Sequence, residues 1–189
     1  MHLTIGTAQF GFKYGLDKIK ISDKEILKIK KIISKNNIKY WDTAINYGRS
    51  EKILGNLKIE KKIITKISLP KKKVKNLKNW FSFTLKRSLK RLKVKSLHGL
   101  LIHSTSDILP SNKDFLNFII ESKKRKLVSK IGVSVYDSMQ VDAVLKKFNP
   151  DLMQLPLSVL DQRMLATGHL ELLKNKGVEI HVRSVFLQG

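Results

Sequence analysis

Seven short runs of β-branched and apolar residues alternate along the chain with longer, charged segments of helical period, and this alternation constrains the fold more than any other feature. The runs fall at residues 2–5, 40–43, 63–66, 99–103, 130–135, 152–155 and 178–185. Helical periodicity predicts helices over 23–34, 50–57, 77–92, 112–124, 138–148 and 164–175. A strand that must wait a helix's length for its neighbour pairs with it in parallel, and the helix covers the sheet face. Two architectures satisfy that pattern: a doubly wound open sheet and a β/α barrel.

Local signals support the elements. Ser22 stands as an N-cap before an apolar stripe of Ile26, Leu27, Ile29, Ile32 and Ile33. Trp80, Phe81, Leu85, Leu89 and Leu92 recur at spacings that put them on one helix side. Pro110 precedes the segment from Asn112, Ser138 opens the next, Asn149-Pro150 is a stop, and Lys176-Gly177 is a C-terminal cap. No Gly- or Pro-rich linker divides the 189 residues, so one domain is expected. A complete eightfold barrel needs about 250 residues. The dinucleotide fingerprint GxGxxG is missing, since Gly6, Gly11 and Gly15 do not fit it. Polar residues instead stand at successive strand C-terminal ends, where β/α barrels place their chemistry.

Composition removes several classes of function. Without cysteine there is no disulfide framework, thiolate metal site or cysteine nucleophile. The N-terminus lacks a signal-peptide pattern, and no apolar run reaches the roughly 20 residues of a membrane span. A soluble, cytoplasmic protein is expected. The net charge of +23 suggests a polyanion partner. Its distribution does not: 32 of the 38 basic residues are Lys, Ala occurs four times, and runs such as Lys71-Lys72-Lys73 fall on expected solvated faces. That skew is what an A/T-rich coding sequence produces. No zinc-finger or RNP-type signature accompanies it.

Residues 41–55, WDTAINYGRSEKILG, carry the most specific pattern in the chain. The segment resembles the second-strand motif of the aldo-keto reductases, approximately (F/W)DTAxxYGxSExxLG, through Asp42, Thr43, Ala44, Tyr47, Gly48, Ser50, Glu51, Leu54 and Gly55. Further matches arrive in that family's order: GTAQFG, IITKIS, LLIHS, IGVSVY, MQLPLS and RSVFLQG. The resemblance runs from Leu3 to Gly189 and implies a TIM-type (β/α) barrel that stops after its seventh strand.

The resemblance also implies a catalytic tetrad of Asp42, Tyr47, Lys66 and His103, with NADP(H) as hydride donor to a small aldehyde, ketone or sugar. Hydride addition to a carbonyl builds negative charge on oxygen, which must be protonated. A phenol serves as that acid only if a nearby cation favours its ionised form. Lys66 is the expected cation, Asp42 its buried partner, Tyr47 the acid and His103 the group that orients the carbonyl oxygen. The resemblance further puts Gly6 and Thr7 against the nicotinamide ribose and Ser134 and Gln154 on the carboxamide. Ser184 and Phe186 begin a loop over the pyrophosphate. No metal site is implied.

Three departures matter. Arg183 stands where many family members stack an aromatic on the nicotinamide, and a planar guanidinium either stacks there or meets a substrate carboxylate or phosphate. Position 135, often Asn, is Val. The segment that holds the adenosine phosphate in the family would follow Gly189, so weak NADPH binding is expected of these 189 residues. Two other readings stay open: a truncated, catalytically compromised barrel, and a basic nucleic-acid-binding module. An oligomer that covers the open barrel edge is a further expectation.

Overall fold

The computed structural model describes residues 2–13, 21–57, 61–108 and 113–186. Pro110, Asn112, Gly15 and the last three residues of RSVFLQG lie outside them. Seven strands form one sheet in sequence order: β1 (Thr4–Gly6), β2 (Tyr40–Asp42), β3 (Lys62–Ile67), β4 (Leu97–Ile102), β5 (Val128–Ser134), β6 (Leu152–Pro156) and β7 (Glu179–Arg183). Every neighbouring pair is parallel. Helices α1 (Ala8–Gly11), α2 (Asp23–Lys35), α3 (Ser50–Asn56), α4 (Leu77–Leu92), α5 (Lys113–Lys124), α6 (Ser138–Leu145), α7 (Arg163–Ala166) and α8 (His169–Asn175) fill the connections. The sheet curls on itself: the rings of Tyr40 on β2 and His181 on β7 are 6.3 Å apart, and Gln154 on β6 reaches Asp42 on β2. This is the TIM-type arrangement, with seven strands.

Alternation along each strand separates two environments. Trp41, Ile63, Ile67, Leu100 and Val133 point outward into the main core shared with the helices. There Phe81 of α4 stacks on Phe115 of α5 with ring centroids 4.6 Å apart. Inward residues form three levels. Tyr40, His98, Lys130, Glu179 and His181 meet at the strands' N-terminal end. Ile64, Leu101 and Leu152 make a small apolar plug in the middle. Gly99 makes room for it, since a Cβ there would lie 2.9 Å from Leu152 Cδ2 and 3.2 Å from Ile64 Cγ1; Gly132 lets the β5 and β6 backbones approach, since a Cβ there would lie 1.6 Å from the Leu152 carbonyl oxygen. Asp42, Lys66 and Gln154 lie at the C-terminal end.

The expected helix over 164–175 is two helices. Gly168, at φ +74°, turns the chain between α7 and α8 in a conformation that interrupts helical bonding. Ser22 caps α2 with a complete capping box closed by Glu25. Asp137 rather than Ser138 caps α6, accepting from the Gln140 N–H. The short α1 was not apparent from periodicity, because four residues are too few to show it.

Candidate active site

Asp42 ends β2, Lys66 is the penultimate residue of β3, and His103 follows the last residue of β4. Parallel register brings these strand ends to one level. The chain leaving β2 stays beside β3, with the Thr43 N–H bonded to Ile64 O and the Ile45 N–H to Lys66 O. It then turns so that Tyr47 comes back over the mouth. Gly48, at φ +53°, makes the turn, and its backbone packs on Gly11 so closely that a Cβ at Gly11 would be 1.7 Å from the Tyr47 carbonyl oxygen.

At the centre, the Lys66 ammonium donates to both Asp42 carboxylate oxygens, at 2.7 and 2.6 Å, and to the Thr43 carbonyl at 3.1 Å. Lys66 is 2% exposed. A buried ammonium costs several kcal/mol unless paired and hydrogen-bonded, and all three of its protons have acceptors here. Gln154 Nε2 donates to Asp42 Oδ1 at 3.0 Å, which fixes the carboxylate from across the barrel. The ammonium lies 5.2 Å from the centre of the Tyr47 ring. The Tyr47 ring meets the His103 ring edge-to-face at 5.9 Å and the Phe12 ring at 5.7 Å. Burial, with Lys66 and Arg183 adding to it against the pull of Asp42, lowers the His103 pKa to about 4. The imidazole is therefore neutral near pH 7, and its buried Nδ1 has no hydrogen-bond partner among the described residues. The four expected catalytic side chains thus converge.

The expected cofactor residues divide. Ser134 and Gln154 are register partners on β5 and β6, side by side and nearly buried. Gly6 pairs with Asp42, and a Cβ there would meet nothing within 4 Å. Thr7 is fully buried: its hydroxyl donates to the Asp42 carbonyl at 2.9 Å and accepts from Ser50 at 2.7 Å. Arg183 ends β7; its Nη2 donates to the Val135 carbonyl at 3.1 Å and its guanidinium lies 3.9 Å from the Tyr136 ring centre. Ser184, at φ +59°, and the largely exposed Phe186 follow β7. No group of three His, Asp or Glu that could hold a metal occurs among the described residues.

Several residues named by the resemblance make supporting contacts that the sequence did not show. Thr43, Ser50 and Thr7 form a buried hydroxyl chain beneath Asp42, with Thr43 Oγ1 2.9 Å from Ser50 Oγ. Glu51 is 1% exposed and accepts from Thr65, Ser88 and Arg91 at 2.9, 2.6 and 2.8 Å, tying α3 to β3 and α4. Ser50 and Glu51 lie within the 41–55 motif, so the signal was present. Nothing in the sequence pointed to Tyr136 as the platform for Arg183.

The model of the aldo/keto reductase family matches residues 2–189. A structure of a Pseudomonas aeruginosa protein assigned to the aldo-keto reductases superposes with a TM-score of 0.78 at 22% identity, over 96% of this chain and 72% of that one. An aldo-keto reductase from Bacillus halodurans, in its holo form, gives 0.76 at 20% identity over 97% and 61%. An aldo/keto reductase from Klebsiella pneumoniae, solved in complex with NADP and acetate, gives 0.74 at 16% identity over 96% and 62%. The chain therefore spans roughly two thirds of the length of these similar structures, and at such identities they attest the fold. No curated protein sequence matches the chain.

Proposed function

We infer, from the chain's membership of the aldo/keto reductase family, that it reduces a small carbonyl compound with NADPH, through Tyr47, Lys66, Asp42 and His103. The observation that carries this reading is the fully paired, buried Lys66–Asp42 couple set against the Tyr47 ring. An ammonium neutralised by one carboxylate and held rigid is expensive to build. Beside a phenol it favours the phenolate that remains once the proton has been given to the carbonyl oxygen.

The residues present suit a nicotinamide cofactor. The adjoining hydroxyl of Ser134 and amide of Gln154 offer the donor and acceptor types that a carboxamide needs, and the open space at Gly6 admits a ribose. Thr7 contributes indirectly, by holding the Asp42 backbone. Arg183, Ser184 and Phe186 bound the same mouth at the end of β7. Bound NADPH would supply the hydride. Tyr47 supplies the proton from its hydroxyl to the carbonyl oxygen. His103, neutral near pH 7, donates a hydrogen bond to that oxygen and orients it. Asp42 holds the Lys66 side chain in place and is itself fixed by Gln154. The apolar plug below keeps water from reaching the site along the barrel axis.

The test is NADPH consumption by the purified chain with a panel of small aldehydes, ketones and sugars at high cofactor concentration. Tyr47→Phe should lower kcat by about a hundredfold or more with NADPH affinity nearly unchanged, since the phenol acts in the transition state. Equal rates in the two proteins would remove Tyr47 from the chemistry. NADH in place of NADPH tests the cofactor choice. A second chain over the outer edges of β1 and β7, which have no strand partner among the described residues, is part of the same proposal. Sedimentation would report it.

A further inference from the structure

We propose that Arg183 makes this mouth selective for carbonyl compounds that also carry a negatively charged group, a carboxylate or phosphate; the carbonyl half of the statement rests on the reductase reading above. The charges at the mouth point this way once each is assigned a partner. Asp42 and Lys66 neutralise one another. Asp161, at the β6–α7 turn, is held by both Nε and Nη2 of Arg163, each at 2.9 Å. Arg183 forms no ion pair with a carboxylate among the described residues. Its charge is felt at a distance by His103 and by Asp161, whose carboxylate is already held by Arg163.

Its surroundings fix the guanidinium without neutralising it. One nitrogen is committed to the Val135 carbonyl and the plane lies on the Tyr136 ring. The Nε–H is buried with no acceptor among the described residues. A buried donor left without a partner is uncommon in folded proteins and calls for a missing acceptor. A guanidinium already oriented by a ring and a carbonyl loses little freedom on binding, and its planar fork matches a carboxylate or phosphate. A neutral substrate would leave that guanidinium without an ion pair, whereas an anionic one supplies it.

Equilibrium binding decides the matter, with succinic semialdehyde as the anionic probe and its methyl ester as the neutral one, measured by calorimetry. The wild-type chain should prefer the carboxylate by about tenfold or more, and Arg183→Met should bring the two within about twofold. Arg183→Lys should keep part of the preference. Should Arg183→Met fail to fold, Arg183→Gln carries the same expectation, since it retains a donor for the Val135 carbonyl and loses the charge. Because the net charge of +23 attracts anions generally, Lys31→Gln on α2 serves as the control and should not alter the ratio. Equal binding of both probes by the wild type overturns the proposal. So does a preference that survives Arg183→Met or falls with Lys31→Gln. A loss of NADPH affinity as large as the loss for the carboxylate also overturns it, since the guanidinium would then serve the cofactor. Arg183-dependent binding without any turnover would sink the reductase reading and leave the anion site standing; turnover indifferent to charge would do the reverse.

Discussion

At the scale of single residues, the site sets one ion pair, Lys66 and Asp42, beside a neutral imidazole. Removing half of a buried pair strands the other half, so Lys66→Met should destabilise the chain by about 3 kcal/mol, besides abolishing activity. Lys66→Met combined with Asp42→Leu should recover much of that stability and none of the activity. Urea unfolding of the three proteins reads this directly. His103 makes a different prediction. Its folded pKa of about 4 lies below the unfolded value of 6.5, so the unfolded chain takes up more protons between those limits. The stability His103 contributes is present above pH 6.5 and is lost as pH falls towards 4, by on the order of 1–2 kcal/mol after allowing for solvent screening. His103→Gln should flatten the urea midpoint over that window. An unchanged slope would mean that the imidazole is solvated.

At the scale of elements, Tyr47 depends on a contact between two connections. The β1–α1 segment and the turn after β2 meet where Gly11 packs on the Tyr47–Gly48 backbone. Gly11→Ala would drive a methyl group into the Tyr47 carbonyl, so the turn must shift. The expected outcome is a loss of kcat of about tenfold or more, with a modest fall in Tm, because the proposed proton donor would be displaced and a misplacement of about an ångström is costly. An unimpaired rate would show that the turn relaxes freely.

The sequence made the elements legible where they are long and periodic. The 77–92 helix and the strand beginning at Tyr40 were placed by residue pattern, and the 41–55 motif carried both Asp42 and Tyr47. It did not reveal the break at Gly168, because the apolar spacing of Met164, Leu165, Leu170 and Leu173 is compatible with one helix. Nor did it show that Thr7 turns its hydroxyl inward to Asp42 and Ser50, or that Tyr136 supports Arg183. Those contacts join residues 35 or more positions apart, or depend on a ring orientation, and no local pattern encodes either.

At the scale of the whole molecule, the charge and the barrel floor set the response to solution conditions. No helix among the described residues is long and apolar enough to cross a membrane. With Lys residues distributed over successive helices, duplex DNA binding should be weak, indifferent to sequence and steeply lost as salt rises, which a titration at two salt concentrations will show. At the floor, burial opposes ionisation of Glu179, but hydrogen bonds from Lys130 and His181 outweigh it and lower its pKa to about 2. His98 is shifted down, chiefly by burial, so its contact with Glu179 is a hydrogen bond rather than an ion pair at neutral pH. This floor closes the strands' N-terminal end, and the apolar plug separates it from the C-terminal end at which Asp42, Tyr47, Lys66 and His103 converge. The measurement that tests that convergence most directly is deuterium transfer from NADPH labelled at the nicotinamide C4 position. Enzyme and cofactor would be in excess over a small aldehyde, and the alcohol would be read by mass spectrometry. Deuterium should appear on the former carbonyl carbon with the wild-type chain, at a rate lower by about a hundredfold or more in Tyr47→Phe. An alcohol without deuterium, no alcohol at saturating NADPH, or equal transfer by Tyr47→Phe would contradict that expectation.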